Sequence, residues 1–212
     1  MSTGLRRLYD FFESSGSERY QGLDESYFSD LNDFEKQEAW GFLIKKCTLS
    51  EDVIKGLYIL DKKKAVDIFK NALSQPIEEY QYRAQRMEAE RNRVLMLKYV
   101  LEQSPEKQYF LEIIKFSNSD FEEVRADFAE SVPFLKIVPE VVDALKGMIV
   151  VETDRAPLSS AITKLMVIHG LDFDASNDLY KSIYLALRSG SVSDKFLAMR
   201  RLARMHKPEY IS

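Results

Sequence analysis

Four segments of this chain repeat one helical design, and that recurrence limits the fold more than any other feature. The segments begin near Asp61, Asp120, Asp154 and Asp194. Small or apolar side chains follow at helical steps. They are Ala65, Phe69 and Leu73 in the first, and Val124, Phe128 and Val132 in the second. Leu158, Ile162 and Met166 serve the third, and Ala198, Leu202 and Met205 the fourth. Steps of three and four put these residues on one face of a helix. Pro76, Pro133, Gly170 and Pro208 lie close behind, where a helix must stop. The best-marked copy is SNSDFEEVRADFAESVPFL, Ser117 to Leu135. Its Ser119 and Glu122 have the spacing of a capping box.

Each segment has a second helical pattern ahead of it. Ser50, Ser104-Pro105 and Pro139 mark three of the starts, and Gly190 closes the last partner. The run GMIVVET, Gly147 to Thr153, is rich in β-branched residues and leaves a short strand open as an alternative. The spacing predicts one all-helical domain over 1–212. Capping helices occupy 1–48, a first hairpin 49–75, a long extra helix of roughly seven turns 76–103, and three hairpins 104–208. The last two aspartate steps are 34 and 40 residues, a period used by helical repeats. The fold class expected is therefore all-α, a right-handed α-solenoid of antiparallel hairpins. An irregular helical bundle is the alternative.

Only 8 glycines and 6 prolines in 212 residues agree with a helical chain, and 45 % hydrophobic residues are enough for a sizeable core. The formal net charge is −4. All of the imbalance lies in residues 1–60, which hold 7 Lys+Arg against 11 Asp+Glu. That balance disfavours generic nucleic-acid binding and suits a basic protein partner. No run approaches the length of a membrane span, and the N-terminus carries no leader-like apolar stretch. With a lone Cys47 that has no partner for a disulfide, these features lead to an expected cytoplasmic setting.

No phosphate-binding, nucleophile-elbow or zinc spacing is present. His169 reads as a helix-end residue beside Gly170, favoured there by the helix dipole. No catalytic residue, metal ligand or cofactor is assigned. The most distinctive surface candidate is Tyr20 to Trp40, where acids and aromatics interleave. Its partner-binding candidates are Asp24, Glu25, Tyr27, Phe28, Asp30 and Asp33, while Phe34 and Trp40 are expected in the core. The long helix carries Glu78, Glu79, Glu88 and Glu90 against Arg83, Arg86, Arg91 and Arg93, which fits a solvated, ion-paired face.

SDFEEVRADFAESV resembles the second helix of a HEAT repeat, with an acid followed by Val124-Arg125 and then small and apolar residues. The wider helical pattern is similar to HEAT and armadillo proteins. The resemblance implies that Asp120 and Arg125 serve a polar ladder between neighbouring repeats. It also implies an extended concave surface for a partner. The function expected is a non-enzymatic protein-binding module, most concretely an immunity or inhibitor protein that occludes a toxin. A scaffold or adaptor is an alternative. So is a HEAT-like DNA glycosylase with Arg83, Arg86, Arg91 and Arg93 lining a groove.

Overall fold

The computed structural model describes residues 3–14, 22–46, 48–77 and 80–211. Cys47, Tyr20, Glu78 and Glu79 lie outside them. The fold is all-α, with no strand among the described residues. Two compact units divide the chain, Met1–Pro76 and Ile77–Ser212.

The first unit holds α1 (Thr3–Glu13), a 3-10 turn (Glu25–Tyr27), α2 (Asp33–Ile44), α3 (Glu51–Leu60) and α4 (Lys62–Leu73). Leu5, Leu8 and Phe11 form the buried stripe of α1. They pack with Leu23, Tyr27, Phe28, Leu31 and Ala39. Phe11 meets Tyr27 edge-on at 5.2 Å, and Tyr9 meets Phe42 at 4.6 Å. Asn32 and Glu35 make a reciprocal capping box at the start of α2. Asp61 serves both α3 and α4. Its N–H closes α3 on the Leu57 carbonyl, and its carboxylate accepts from the Lys64 N–H at the start of α4. Gly56 sits where α3 passes closest to Leu23 and Leu43. A Cβ there would lie 2.8 Å from a methyl of each.

The second unit holds α5 (Arg83–Gln103), α6 (Lys107–Ile114) running into a 3-10 turn (Lys115–Asn118), and α7 (Glu122–Ser131). It continues with α8 (Pro139–Val151), α9 (Arg155–Ile168), α10 (Asp178–Ser189) and α11 (Val192–Met205). Helix α5 packs on α7, and α7 on α9. Helix α6 packs on α8, α8 on α9, and α10 on both α9 and α11. Val94, Leu97, Val100 and Leu101 of α5 are buried, as are Val124 and Phe128 of α7 and Ile162, Leu165 and Met166 of α9. Each such side chain contributes roughly 1.5–3 kcal/mol on leaving water, which outweighs the modest helix propensities of their sequences. Lys195 of α11 is buried and donates to the Ile149 carbonyl of α8 at 2.7 Å.

Several local expectations are corrected. The long helix starts at Arg83, not near Pro76. Ile77, Tyr80 and Tyr82 ahead of it are all exposed, so that stretch has no apolar face to bury, and packing is what holds most helices. GMIVVET is helical through Val151, because Met148 and Ile149 continue the buried stripe of Val141, Val142 and Leu145. Ser119 and Glu122 do not form a capping box. The N-cap is Phe121, and the Ser119 hydroxyl accepts from the Phe121 N–H while donating to Glu90. The Ser104-Pro105 pair precedes the helix, whose N-cap is Glu106.

Helix α9 ends in a Schellman motif. The Leu171 N–H reaches the Met166 carbonyl at 2.9 Å and the Gly170 N–H the Val167 carbonyl at 2.9 Å, with Gly170 at φ +73°. The chain after α11 runs extended beside the α7–α8 connection. Ile137 donates to Glu209 and accepts from Ile211, at 3.0 and 2.9 Å.

Candidate functional site

The acidic N-terminal stretch separates into core and surface. Asp24 caps the 3-10 turn, accepting from the Ser26 N–H at 2.8 Å. The Ser26 hydroxyl and N–H hold its carboxyl below the usual range, with Arg7 assisting. Tyr27 and Phe28 are buried in the core cluster, and the Arg7 guanidinium stacks over the Tyr27 ring at 4.3 Å. Their rings are therefore not offered to a partner. Phe34 has the opposite outcome to the one its pattern suggested, being 74 % exposed on the first turn of α2. Trp40 is half-buried beneath Lys64. Glu25, Asp30 and Asp33 are exposed, and none of the three is ion-paired among the described residues. Sequence reasoning missed Phe34 as a surface residue. The usable signal was its offset of five residues from Ala39, which turns it about 140° from the buried side of α2.

The arginines of α5 are spent within the fold. Arg83 lies over the Phe121 ring at 5.0 Å. Arg86 bonds Glu90 and Asp120, each at 3.0 Å. Arg91 bonds Asp127 at 2.6 Å, and the buried Arg93 bonds Glu112 at 3.2 Å. They do not line an open basic groove. Arg125 of α7 donates to Glu152 at 2.6 Å, to Asp154 at 2.7 Å and to the Ser119 carbonyl at 2.8 Å. Burial pushes the Glu152 carboxyl up. The Arg125 hydrogen bond and the Asp154 and Thr153 N–H groups outweigh it and leave the carboxyl below its ordinary value. Asp120 and Arg125 thus do not bond each other. Asp120 reaches back to α5, and Arg125 reaches forward to the α8–α9 connection.

A third place brings lysines together at the C-terminal end of α7. Lys164 of α9 donates to the carbonyls of Glu130 and Val132, at 3.0 and 2.6 Å. These are orphan acceptors at a helix end, which a cation suits. Burial, with Lys98 nearby, lowers the Lys164 ammonium to about 8 against the pull of Glu130. The Glu130 carboxylate accepts from the Ser160 hydroxyl at 2.8 Å.

Among the described residues no three His, Cys, Asp or Glu side chains cluster as metal ligands. His169 is the C-cap of α9, the helix-end position its pattern indicated, and it is buried there. Its Nδ1 donates to the His206 carbonyl at 2.8 Å, and burial lowers its pKa. No described helix is long and apolar enough to cross a membrane. No family model, curated protein or solved structure matches the chain.

Proposed function

We propose that this chain is a HEAT-like α-solenoid that works as a protein-binding module, in its most concrete form an inhibitor of the immunity type that occludes a basic toxin. The observation that carries this reading is Phe34, 74 % exposed beside Asp33 on the first turn of α2. An aromatic anchor with unpaired acids nearby supplies contact area at low entropy cost, while the acids steer a cationic partner. The acids that would do this are Glu25, Asp30 and Asp33, with Asp24 already engaged as a cap. Tyr27 and Phe28, which lie between Glu25 and Asp30 in the chain, are anchored in the core of this unit.

The solenoid reading is supported by the series α5, α7, α9, in which each helix packs on the next. It is supported also by the acids of that series. Asp120 bonds Arg86 of α5, and Asp154 bonds Arg125 of α7, so each acid at a helix start pairs with an arginine of the preceding helix in the series. That is the ladder role the HEAT resemblance assigns to this acid and this arginine. The same pairing weighs against the glycosylase alternative, because it neutralises the arginines a DNA groove would need.

Co-expression with the product of the adjacent gene tests the function. A one-to-one complex that survives gel filtration is expected, together with relief of any growth arrest the neighbour causes. F34A should weaken it by about 2 kcal/mol or more, and D30K/D33K should slow association most at low salt. A neighbour that neither binds nor is neutralised would sink the inhibitor reading.

A further inference from the structure

We propose that the lysine-rimmed groove at the C-terminal end of α7 binds an extended acidic peptide segment that carries an apolar side chain. The proposal is independent of the acidic surface of α2, since it concerns the other unit of the chain.

Two adjoining hollows of about 320 and 470 Å³ share Glu130 and Lys164. The first has an apolar wall of Leu101, Val132, Pro133, Phe134 and Leu135. Phe134 and Leu135 are each 50 % exposed, consecutive residues in a short connection, where the chain leaves contiguous apolar area uncovered. The rim of the same hollow carries Lys98, Lys136 and Lys164. None of these three is in an ion pair among the described residues, although Lys98 lies over the Tyr99 ring at 5.8 Å and Lys164 donates to two carbonyls; the arginines Arg86, Arg91, Arg93 and Arg125 are held by carboxylates. Glu102 and Glu130 are the carboxylates of the lining, and Glu130 accepts from Ser160. The rim therefore carries more positive than negative charge around an apolar floor.

The rim is also held in place. Lys164 ties the end of α7 through two carbonyls. Ile137 is pinned on both sides by Glu209 and Ile211. Between these anchors Lys136 adopts φ +52°, a left-handed backbone uncommon for lysine. A fixed rim loses little entropy on binding.

Volume and charge select the occupant. A few hundred Å³ takes one or two side chains, not a folded domain, and the open side lets a chain run through. Carboxylates on that chain meet the lysines, and its apolar residue meets Phe134 and Leu135. A basic segment is repelled. A membrane surface does not enter a concave hollow.

The test is fluorescence anisotropy on the full chain with a labelled acidic heptapeptide, Glu-Asp-Phe-Glu-Leu-Asp-Glu. Its controls are the Gln/Asn counterpart and vesicles containing phosphatidylserine. Saturable one-site binding is expected, lowered roughly tenfold in K98E/K136E and by a similar factor in F134A/L135A. The R200E/R201E variant, on α11, should keep affinity within about twofold. If K98E/K136E fails to fold, K98Q/K136G removes the same charges without reversing them and should still lose severalfold. No saturation at low salt, equal affinity for the uncharged counterpart, an equal loss in R200E/R201E, or vesicle binding without peptide binding would each overturn the proposal.

Discussion

Arg125 Nε lies 2.6 Å from Glu152 Oε2, joining α7 to the connection that follows α8, with both side chains largely out of water. A second nitrogen of the same guanidinium reaches Asp154 at 2.7 Å. Truncation would leave Glu152 buried without its cation, the costly half of breaking an ion pair. R125A should lose about 2–4 kcal/mol in urea unfolding, and R125K most of that, since an ammonium cannot span both acids. Acid should expose the same link. The folded Glu152 pKa is depressed, so its contribution is complete above the unfolded value and is lost as pH falls through the folded one. A loss below about 1 kcal/mol in R125A would show that the pair is solvent-screened.

His169 gives a separate acid response at milder pH. Its Nδ1–H is spent on the His206 carbonyl, and its Nε2 is buried without a hydrogen-bond partner among the described residues. Burial lowers the folded pKa, and Lys146 and His206 add to the effect, against the His206 carbonyl. The unfolded chain therefore takes the proton first. Stability should be unaffected above the ordinary imidazole value of 6.5 and fall as pH drops below it through the folded pKa. Thermal unfolding between about pH 7.5 and 5 should show this slope. It should flatten in H169Q, which cannot titrate. An unchanged slope in H169Q would assign it to other groups.

Two helical glycines make opposite predictions. A Cβ on Gly56 meets Leu23 and Leu43, whose side chains are 3 % and 0 % exposed and have little room to move. G56A should cost about 1–2 kcal/mol, overpacking outweighing the gain in helix propensity. Gly147 of α8 has no atom near its added Cβ. G147A should stabilise by about 0.5–1 kcal/mol. Chemical denaturation of both variants separates steric need from propensity, and a stabilised G56A would mean that Leu23 and Leu43 yield easily.

Helix positions were legible because a buried stripe leaves a period in the sequence. The acids at Asp120 and Asp154 were legible as a series for the same reason. Their partners were not. Glu152 sits in a three-residue connection with no period, and Arg86 is one of several arginines that look alike along α5. Tyr27 and Phe28 were assigned to the surface because a 3-10 turn separates them from α2, whose phase says nothing about them, whereas Phe34 shares that phase and was misread within it. The lysine groove had no sequence signature. Lys98, Lys136 and Lys164 are far apart in the chain and meet only once α5, the α7–α8 connection and α9 have packed.

Lys136 allows the backbone and the charge of that groove to be tested apart. Its φ of +52° lies where a Cβ crowds the following carbonyl, a cost glycine escapes. K136A removes the charge and keeps the crowding. K136G removes both, at the expense of a more flexible unfolded chain. K136G should therefore be more stable than K136A by about 1 kcal/mol in denaturant unfolding. Equal stabilities would mean that the connection relaxes out of the left-handed region at little cost. Both variants should bind the acidic peptide more weakly than the parent and by similar factors. A large gap between them in affinity would instead assign the groove's selectivity to the fixed backbone between Leu135 and Ile137.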